Sequence, residues 1–359
     1  MLVLNDIHIG VQRKGGTTPA SQEALRNYLF TAFEETLVNS SEESLLIAGD
    51  LFDEFEVSPR DWVQTYQILQ DWCVKKGSLI LVAGNHDHSP KALRVSSFEM
   101  LCTVLKEQFG KTVSVIGVDE WGVFIGGSVL AHCSNQDVFN QKLSQVLSIC
   151  DEQSIKHVFL HANYDNNFAA VSDHSLNVSE EQAMEFAAKG IDLIFAHEHQ
   201  ARTKNFFGLT GKVIVMGNQF PSSVSDCLNN SSKYYHTLKD GVLTKHETWG
   251  DEYLELGFDA VDWRELGRGF VEKGFIRIEG RASAAEASEA LTAISKFRQK
   301  SKAFVISNAV KIDGIADKET LAQSLEETKT FDVWAFIEKQ LTPEELVTVV
   351  KLKKAMECS

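Results

Sequence analysis

The sequence has no apolar run long enough to cross a lipid bilayer. Its longest continuous apolar stretches, such as Leu79 to Ala83, fall far short of the ~18 residues that a membrane-spanning helix needs. No basic segment leads into an apolar core at the start, because the first apolar run ends at Leu4 and is followed by Asn5 and Asp6. The six cysteines form no C-x-x-C pair and no regular framework. We therefore expect a soluble, cytoplasmic protein whose cysteines are reduced and mostly buried.

Basic residues are fewer than acidic residues. There are 35 lysines and arginines against 50 aspartates and glutamates, which gives a net charge of −15. This balance excludes a broad basic surface that would grip nucleic acid by bulk electrostatics, although a local basic strip remains compatible with it. Only 5 prolines and 23 glycines occur in 359 residues, so the chain is not of low complexity. Its length fits two domains, or one large domain with an appendage.

Over the first 250 residues, short apolar runs alternate with segments of helical periodicity. The runs predicted as strands are Leu2–Leu4, Leu45–Ala48, Leu79–Ala83, Val113–Ile116, Val123–Ile125, Val158–Leu160, Leu193–Ala196 and Val213–Met216. The predicted helices cover residues 21–38, 58–77, 91–107, 136–149 and 179–189. Consecutive strands over residues 112–133 interrupt the alternation. The pattern predicts an α/β sandwich with a partly antiparallel sheet.

The pattern changes near residue 250. A strand at 275–280, an Ala/Glu-rich helix at 283–297 and a strand at 303–312 predict a small β-α-β unit. Residues 330–357 are predicted to form a helical hairpin, in which Thr342, Pro343 and Glu345 make a capping box at the second helix. We therefore predict three parts, at 1–250, 251–328 and 329–359.

Side chains that commonly bind metals follow five of the predicted strands. In chain order, they are Asp6 and His8, Asp50 and Asp53, Asn85 with His86 and Asp87, His161, and His197 with His199. Ligands of open α/β sheets bind outside the carboxyl ends of the strands, so these side chains are expected to meet in one crevice.

The types of donor limit the chemistry. The set contains no thiolate, which argues against a structural zinc site. It mixes imidazole with carboxylate and amide oxygen, which favours Mn²⁺, Fe²⁺ or Zn²⁺ over Ca²⁺. At least three carboxylates or amides and four imidazoles would meet in the crevice, and these seven ligands are too many for one ion but suit two ions that share a carboxylate. Two ions ~3.5–4 Å apart can clamp the attacking and leaving oxygens of a phosphoryl transfer.

Each motif alone has a simpler interpretation. A single D-x-H or G-D-x-x-D is more often an ordinary turn at a strand end, and the Asn85 segment alone could be an Asx turn. The metal hypothesis depends on the five motifs occurring together and in order. The role of His88 stays open at this point. The remaining histidines lack such a setting and are predicted to be structural or surface residues: His132, His157, His174, His236 and His246.

The ordered set resembles the calcineurin-like metallophosphoesterase superfamily, over roughly residues 1–220. The resemblance implies an αββα sandwich, here with a small β-α-β capping domain and a C-terminal helical hairpin. It implies that one metal is held by Asp6, His8 and His199, that the other is held by Asn85, His161 and His197, and that Asp50 bridges the two. It further implies that His86 acts on the leaving oxygen as a general acid, and Asp53 is placed in sequence to orient His86. The implied reaction is phosphoester hydrolysis with two divalent metal ions, of which we expect Mn²⁺, with Fe²⁺, Zn²⁺ and Mg²⁺ as alternatives.

Three features resemble SbcD-type DNA repair and recombination nucleases, especially the compact subunits of large phages. The first is the opening Asp6-x-His8-Ile9-Gly10 followed by a helix, and the second is the β-α-β unit. The third is the terminal hairpin, which resembles the segment that binds an SbcC-like coiled-coil ATPase. Segment 214–221 follows the family's Gly-Ser-Pro loop only loosely. The resemblance implies 3′-to-5′ degradation of duplex ends and nicking of single strands in a bacterial or phage-infected cell.

The partners expected on this basis are DNA, bound without sequence preference, and an SbcC-like ATPase bound through residues 330–359, with no membrane. A homodimer is left open. Two basic segments are candidates for contact with the phosphate backbone, namely residues 13–14 and the run Lys296, Arg298, Lys300 and Lys302; each could equally be a solvated surface. Two rival functions remain: a small-molecule phosphodiesterase or phosphatase with the same metals, and a non-enzymatic scaffold of the same fold.

Overall fold

The computed structural model describes residues 1–12, 18–88, 94–166, 175–230, 233–249, 252–258, 273–283 and 287–312. The predicted basic pair at 13–14, His174 and the predicted hairpin at 330–357 lie outside these residues. Within the described part of the chain, no helix is long and apolar enough to cross a membrane.

The helices begin where the sequence provides capping side chains. Their bounds are α1 (Pro19–Asn39), α2 (Pro59–Lys75), α3 (Ser97–Phe109), α4 (Gln136–Glu152), α5 (Glu180–Ala188) and α6 (Ala287–Lys300), with 3-10 turns at Gly110–Thr112 and Ser225–Asn230. Ser58 accepts a hydrogen bond from the main-chain N–H of Asp61 at the start of α2, and proline occupies the first helical position. Ser96 and Ser179 form capping boxes with residues three positions later. These caps explain why the helices lie close to their predicted positions.

Two six-stranded sheets form the main body. The first contains β1 (Leu2–Leu4), β2 (Ser44–Ala48), β3 (Ser78–Val82), β4 (Val113–Ile116), β13 (Lys233–Lys239) and β14 (Val242–Trp249), in the order β14-β13-β1-β2-β3-β4. The second contains β5 (Trp121–Phe124), β6 (Gly127–Leu130), β7 (His157–His161), β10 (Asp192–Ala196), β11 (Arg202–Asn205) and β12 (Lys212–Val215), in the order β11-β12-β10-β7-β6-β5. The central strands of both sheets are parallel, whereas β13, β14, β11 and β5 pair antiparallel.

The two sheets pack face to face, with helices on their outer sides. One buried cluster joins β1, β2 and β3 to α1, α2 and α3, and also contains Phe159 and Ile194 from the second sheet. A second cluster joins the other face of the second sheet to α4 and α5, through side chains such as Phe139 and Phe186. Both faces of each sheet are thus covered, which is why their central strands are continuous apolar runs. The predicted αββα sandwich is confirmed.

A smaller three-stranded parallel sheet follows. It consists of β15 (Tyr253–Gly257), β16 (Phe275–Ala282) and β17 (Val305–Ile312), and α6 connects β16 to β17. Its own apolar cluster includes Ile276, Ile294 and Phe297. The ring of Tyr28 on α1 contacts Phe304, with centroids 4.9 Å apart, so this sheet packs beside the main sandwich. A short two-stranded ladder, β8 (Asn163–Tyr164) and β9 (Asn177–Val178), completes the described strands.

Candidate metal centre

The seven predicted ligands gather where strands of the two sheets end. Asp6 and His8 follow β1, Asp50 follows β2, Asn85 follows β3, His161 ends β7, and His197 and His199 follow β10. The structure contains three groups whose ligand atoms lie within 4.8 Å of one another inside each group, and the first two groups share His8. They are Asp6, His8 and His199; His8, Asp53 and His86; and Asp50, His161 and His197. A pocket of about 310 Å³ opens among them and is lined by His8, Asp50, Asp53, His86, Asn163, His197 and His199.

Four of these residues have left-handed main-chain conformations. The φ angles are 48° at Asp6, 52° at His8, 50° at Asp50 and 80° at His197. Such conformations are uncommon for residues with side chains, and they persist only where the surrounding structure enforces them. Main-chain hydrogen bonds supply that enforcement, because the N–H groups of residues 7 and 8 both donate to the carbonyl of Asp50, at 2.9 and 3.1 Å. The loops after β1 and β2 are thereby fixed against each other.

Two glycines make room for the ligands. A Cβ atom at Gly49 would lie 2.1 Å from Nδ1 of His161, and one at Gly84 would lie 2.1 Å from Oδ1 of Asp50. Gly49 also has a φ of +97°, which favours glycine. The glycine of each motif, Gly49-Asp50 and Gly84-Asn85, therefore permits the close approach that brings ligands from different strands together.

The first ligand group is centred on two facing imidazoles. Nε2 of His8 lies 3.1 Å from Nε2 of His199. On the far side of each ring, Nδ1 faces a carboxylate: that of His8 lies 3.2 Å from Oδ1 of Asp53, and that of His199 lies 2.8 Å from Oδ1 of Asp226. A neutral histidine that donates from Nδ1 carries its lone pair on Nε2. Nδ1 of His199 has such a partner in Asp226, so the lone pair on its Nε2 points at the position between the two rings. Nδ1 of His8 lies near Asp53 without a hydrogen bond in the described part of the chain. A cation between the two Nε2 atoms would be bound by both rings, with Asp226 and His199 as a carboxylate–histidine–metal arrangement.

The second ligand group brings acceptors together in the same way. Nδ1 of His161 donates to the carbonyl of Ala48 at 3.1 Å, which leaves Nε2 to face Oδ2 of Asp50 at 3.2 Å and Oδ1 of Asn85 at 2.9 Å. Burial lowers the pKa of His161, but the Asp50 carboxylate, the Asp6 carboxylate and the Ala48 carbonyl together raise it by more, to about 9. The site thus strongly favours positive charge at this position. His197 completes the group, and the residues present fit a second divalent cation.

His86 lies next to both groups. Its main-chain N–H donates to Oδ1 of Asp50 at 3.0 Å, and its ring meets the ring of His8 edge to face, with centroids 5.1 Å apart. Nδ1 of His86 donates to the main-chain carbonyl of Asp53, whereas the Asp53 carboxylate faces His8. Burial lowers the pKa of His86, but Asp50 and Asp53 raise it, so the net shift is upward. The ring lines the pocket beside the candidate metal positions.

Some supporting residues were not singled out from the sequence. Asp226 is buried against His199, and nothing in its Ser-rich surroundings signals a metal site. Asn5 holds Asp6 through its side-chain amide and is itself held by Gln219, whose amide donates to Oδ1 of Asn5 at 2.7 Å. Asp87, by contrast, was named in the sequence analysis as part of the Asn85 motif, although no role was assigned to it. Its carboxyl accepts from the main-chain N–H of Gly84 at 3.0 Å and of Phe52 at 3.2 Å and so ties the β2 and β3 loops together.

The other histidines of the described chain lie outside the three ligand groups. His132 and His236 are buried, and His246 stacks on Tyr235. His157, at the start of β7, lies near Asp192. His88 likewise belongs to none of the three groups.

Comparison with known proteins is consistent with this geometry. No curated protein sequence matches the chain. The family model described as calcineurin-like phosphoesterase matches residues 1–201, which contain all seven predicted ligands together with His86 and Asp53. The match covers more than half of the sequence, and the chain therefore belongs to the calcineurin-like phosphoesterase family.

Proposed function

We propose that this protein is a two-metal DNA exonuclease and endonuclease subunit, dependent on Mn²⁺, that works with an SbcC-like ATPase in DNA repair, recombination or degradation. Family membership supports metal-dependent hydrolysis. The observation that carries the proposal is that the seven predicted ligand side chains lie together at the strand ends, four of them lining one pocket, with Nε2 of His8 facing that of His199 and Nε2 of His161 facing Asp50 and Asn85. A non-enzymatic scaffold would be expected to have lost part of such a set.

Each of the two ligand groups would bind one ion. Asp6, His8 and His199 would bind one, and Asn85, His161 and His197 the other, with Asp50 bridging them. When bound, the ions neutralise a phosphodiester and lower the pKa of the attacking water. His86 is positioned by the Asp53 carbonyl so that its ring faces the pocket, where it protonates the leaving oxygen as a general acid. The Asp53 carboxylate lies beside His8, with Oδ1 3.2 Å from Nδ1 of that ring.

The choice of DNA as substrate is supported by the opening motif and by the small sheet beside the sandwich. Asp6, His8, Ile9 and Gly10 match the SbcD-type opening. The small sheet has the β-α-β elements of a capping domain, and three exposed lysines lie at the end of α6: Lys296, Lys300 and Lys302. Arg298 of the same run is partly buried and donates to the carbonyl of Ile306 at 3.0 Å. It therefore joins α6 to β17 within the small domain. The lysines can contact phosphates, which implies binding without base readout.

The test is to compare two substrates on the full-length protein with Mn²⁺. We expect loss of label from a 3′-labelled DNA duplex and nicking of single strands, both abolished by a chelator and by His86→Asn. Robust turnover of bis(p-nitrophenyl) phosphate without any cleavage of DNA would instead assign the protein as a small-molecule phosphodiesterase. Absence of turnover on both, with metals bound, would refute hydrolysis altogether.

A further inference from the structure

We propose that Asp226 is a positioning residue for one of the two metals, and that the segment 217–233 assembles that metal's ligands. The inference rests on the proposed two-metal centre. It concerns residues beyond the 1–201 range that the family match covers. It predicts that one ion depends on Asp226 while the other does not.

Asp226 fixes the ring of His199 from behind. Its Oδ1 lies 2.8 Å from Nδ1 of His199. Its Oδ2 accepts three hydrogen bonds, from the main-chain N–H of Ser222 at 2.8 Å, the Ser222 hydroxyl at 3.1 Å and the main-chain N–H of Ser223 at 2.9 Å. The carboxylate is buried, so it cannot exchange these partners for bulk water. One oxygen is thus anchored by its own loop and the other is committed to His199.

Lys233 supports the same histidine from a second side. Its ammonium group donates to the main-chain carbonyl of His199 at 2.9 Å, and its side chain is almost fully buried. Burying a lysine costs free energy unless an opposite charge or good acceptors compensate it. The charge of Asp226 provides that compensation, because it acts on Lys233 electrostatically. Main chain and side chain of His199 are therefore both held by residues of the 217–233 segment.

The segment also holds Asp6. The Asn5 side-chain amide donates to Oδ2 of Asp6 and to the carbonyl of Gly217, the latter at 2.8 Å. Gln219 bonds Asn5 twice, through the main-chain N–H of Asn5 at 2.9 Å and through Oδ1 of Asn5 at 2.7 Å. Two of the three ligands in the first group, Asp6 and His199, therefore take their orientation from this one segment.

Within the described residues, the second ligand group meets this segment only indirectly, through Asp6, whose two carboxylate oxygens accept from the main-chain N–H of His197 at 3.1 and 2.9 Å. The hydrogen bonds of Asp226 described above go to His199 and to its own loop. The orientation of His161 comes from the carbonyl of Ala48 on β2, and Asp50 is fixed by the interlocked loops after β1 and β2. Removing the contacts of Asp226 should therefore weaken the ion at His8 and His199 and spare the ion at Asn85 and His161. Orienting partners of this kind change metal affinity by about 10–100-fold.

The variant Asp226→Asn tests whether Asp226 positions His199. The test is specific because the three hydrogen-bond donors at Oδ2 determine which way the new amide faces. They will hold the amide oxygen of the asparagine, so its NH₂ group must face Nδ1 of His199. Nδ1 must then accept, and the proton of the neutral ring moves to Nε2, where it blocks metal binding. The Asp226→Asn chain should bind one Mn²⁺ with unchanged affinity and the second about 10–100-fold more weakly. At a Mn²⁺ concentration that fills only the unchanged site, the electron paramagnetic resonance spectrum of this variant should show the six-line signal of an isolated Mn²⁺ ion. The wild-type protein with both sites filled should show the signal of a coupled pair.

Asp192→Asn is the matched control. Asp192 also pairs with a histidine, with Oδ2 3.7 Å from Nδ1 of His157, and its Oδ1 also accepts a main-chain hydrogen bond, from Lys212 at 3.1 Å. Asp192 begins β10 and His157 begins β7, so both lie at the end of the sheet opposite the ligands. This variant should bind two ions like the wild-type protein.

The results separate the two proposals. If the wild-type protein fails to bind two ions, the proposed function is wrong; if wild type and Asp226→Asn both bind two with equal affinity, only the role of Asp226 is wrong. Should Asp226→Asn fail to fold, nitrogen NMR on histidine-labelled, Zn²⁺-loaded wild-type protein decides the question. We expect a proton on Nδ1 and metal on Nε2 of His199, and the opposite assignment would overturn the proposal.

Discussion

Nε2 of His8 and Nε2 of His199 lie 3.1 Å apart, although the two residues are 191 positions apart in the chain. Each ring has its Nδ1 turned toward a carboxylate, of Asp53 and of Asp226. Two imidazole nitrogens at this distance attract each other only when a proton or a cation lies between them. The pair therefore brings ligand atoms from the loops after β1 and β10, which belong to different sheets, to a position that suits a positive ion.

His86→Asn should separate catalysis from metal binding. His86 lines the pocket and belongs to neither of the two ligand groups assigned to the ions, so the variant should still bind two metals. A general acid typically increases the rate of the chemical step by about 10²–10⁴-fold, so kcat should fall by at least about 100-fold. Stopped assays of DNA cleavage together with metal analysis would measure both quantities. His246→Asn, on β14, is the control and should keep full activity; a fully active His86→Asn would refute the mechanism.

Replacing Lys300 and Lys302 with Glu should weaken DNA binding. If each lysine neutralises one phosphate, the slope of log K against log salt should become shallower by about 1.8. The measurement is fluorescence anisotropy of a labelled duplex at several salt concentrations. The matched control replaces Lys75 and Lys189, exposed residues on the main sandwich, with Glu and makes the same change in net charge. Equal slopes for the two double variants would mean that the cap lysines do not contact DNA.

Deleting residues 330–359 should abolish association with a co-expressed SbcC-like ATPase while sparing the metals. The physical reason is the apolar stripe of the predicted hairpin, which a coiled-coil partner would cover. Co-purification reports the association, and metal content reports the integrity of the site. The prediction fails if the shortened chain still binds the ATPase. It also fails if the phosphoesterase domain unfolds, because residues 330–359 would then be part of the protein's own core.

His236 should make stability depend on pH. Burial, with the nearby charges of His246 and Lys245, lowers the pKa of His236 from 6.5 to about 4. Between these values the unfolded chain takes up a proton that the folded chain does not, so the free energy of unfolding falls as the pH drops from about 6.5 to about 4. The loss amounts to roughly 3 kcal/mol at 1.36 kcal/mol per pKa unit.

His236→Phe should remove that part of the pH dependence. Urea titrations of the wild-type protein and the variant at pH 7, 5.5 and 4.5 provide the comparison, because the contributions of all other groups cancel in the difference. A difference between the two proteins that does not change with pH would show that His236 is not responsible.

The sandwich could be predicted from the sequence because its central strands are buried on both faces. That burial makes β1, β2, β3, β7 and β10 continuous apolar runs, and polar ligands at their ends mark the site. Among the strands that the prediction missed are β11, β13, β14 and β15, whose residues are polar or mix charged and apolar side chains without a clean period. These strands lie at or next to an edge of one of the two large sheets, or in the small sheet, where fewer side chains are buried.

The supporting residues of the site were harder to predict for a different reason. Asp226 reaches His199 across a long loop, and no local pattern distinguishes it from other acidic residues. The sequence also suggested that Asp53 would orient His86, but it could not tell that the main-chain carbonyl makes this contact while the carboxylate faces His8. Such contacts depend on the approach of loops in three dimensions and leave no signature in residue spacing.

Anomalous diffraction from a crystal soaked in Mn²⁺ tests the central claim most directly. We predict two peaks about 3.5–4 Å apart, one bound by Asp6, His8 and His199 and one by Asn85, His161 and His197, with Asp50 touching both. A single peak, two peaks outside this pocket, or none would contradict the account.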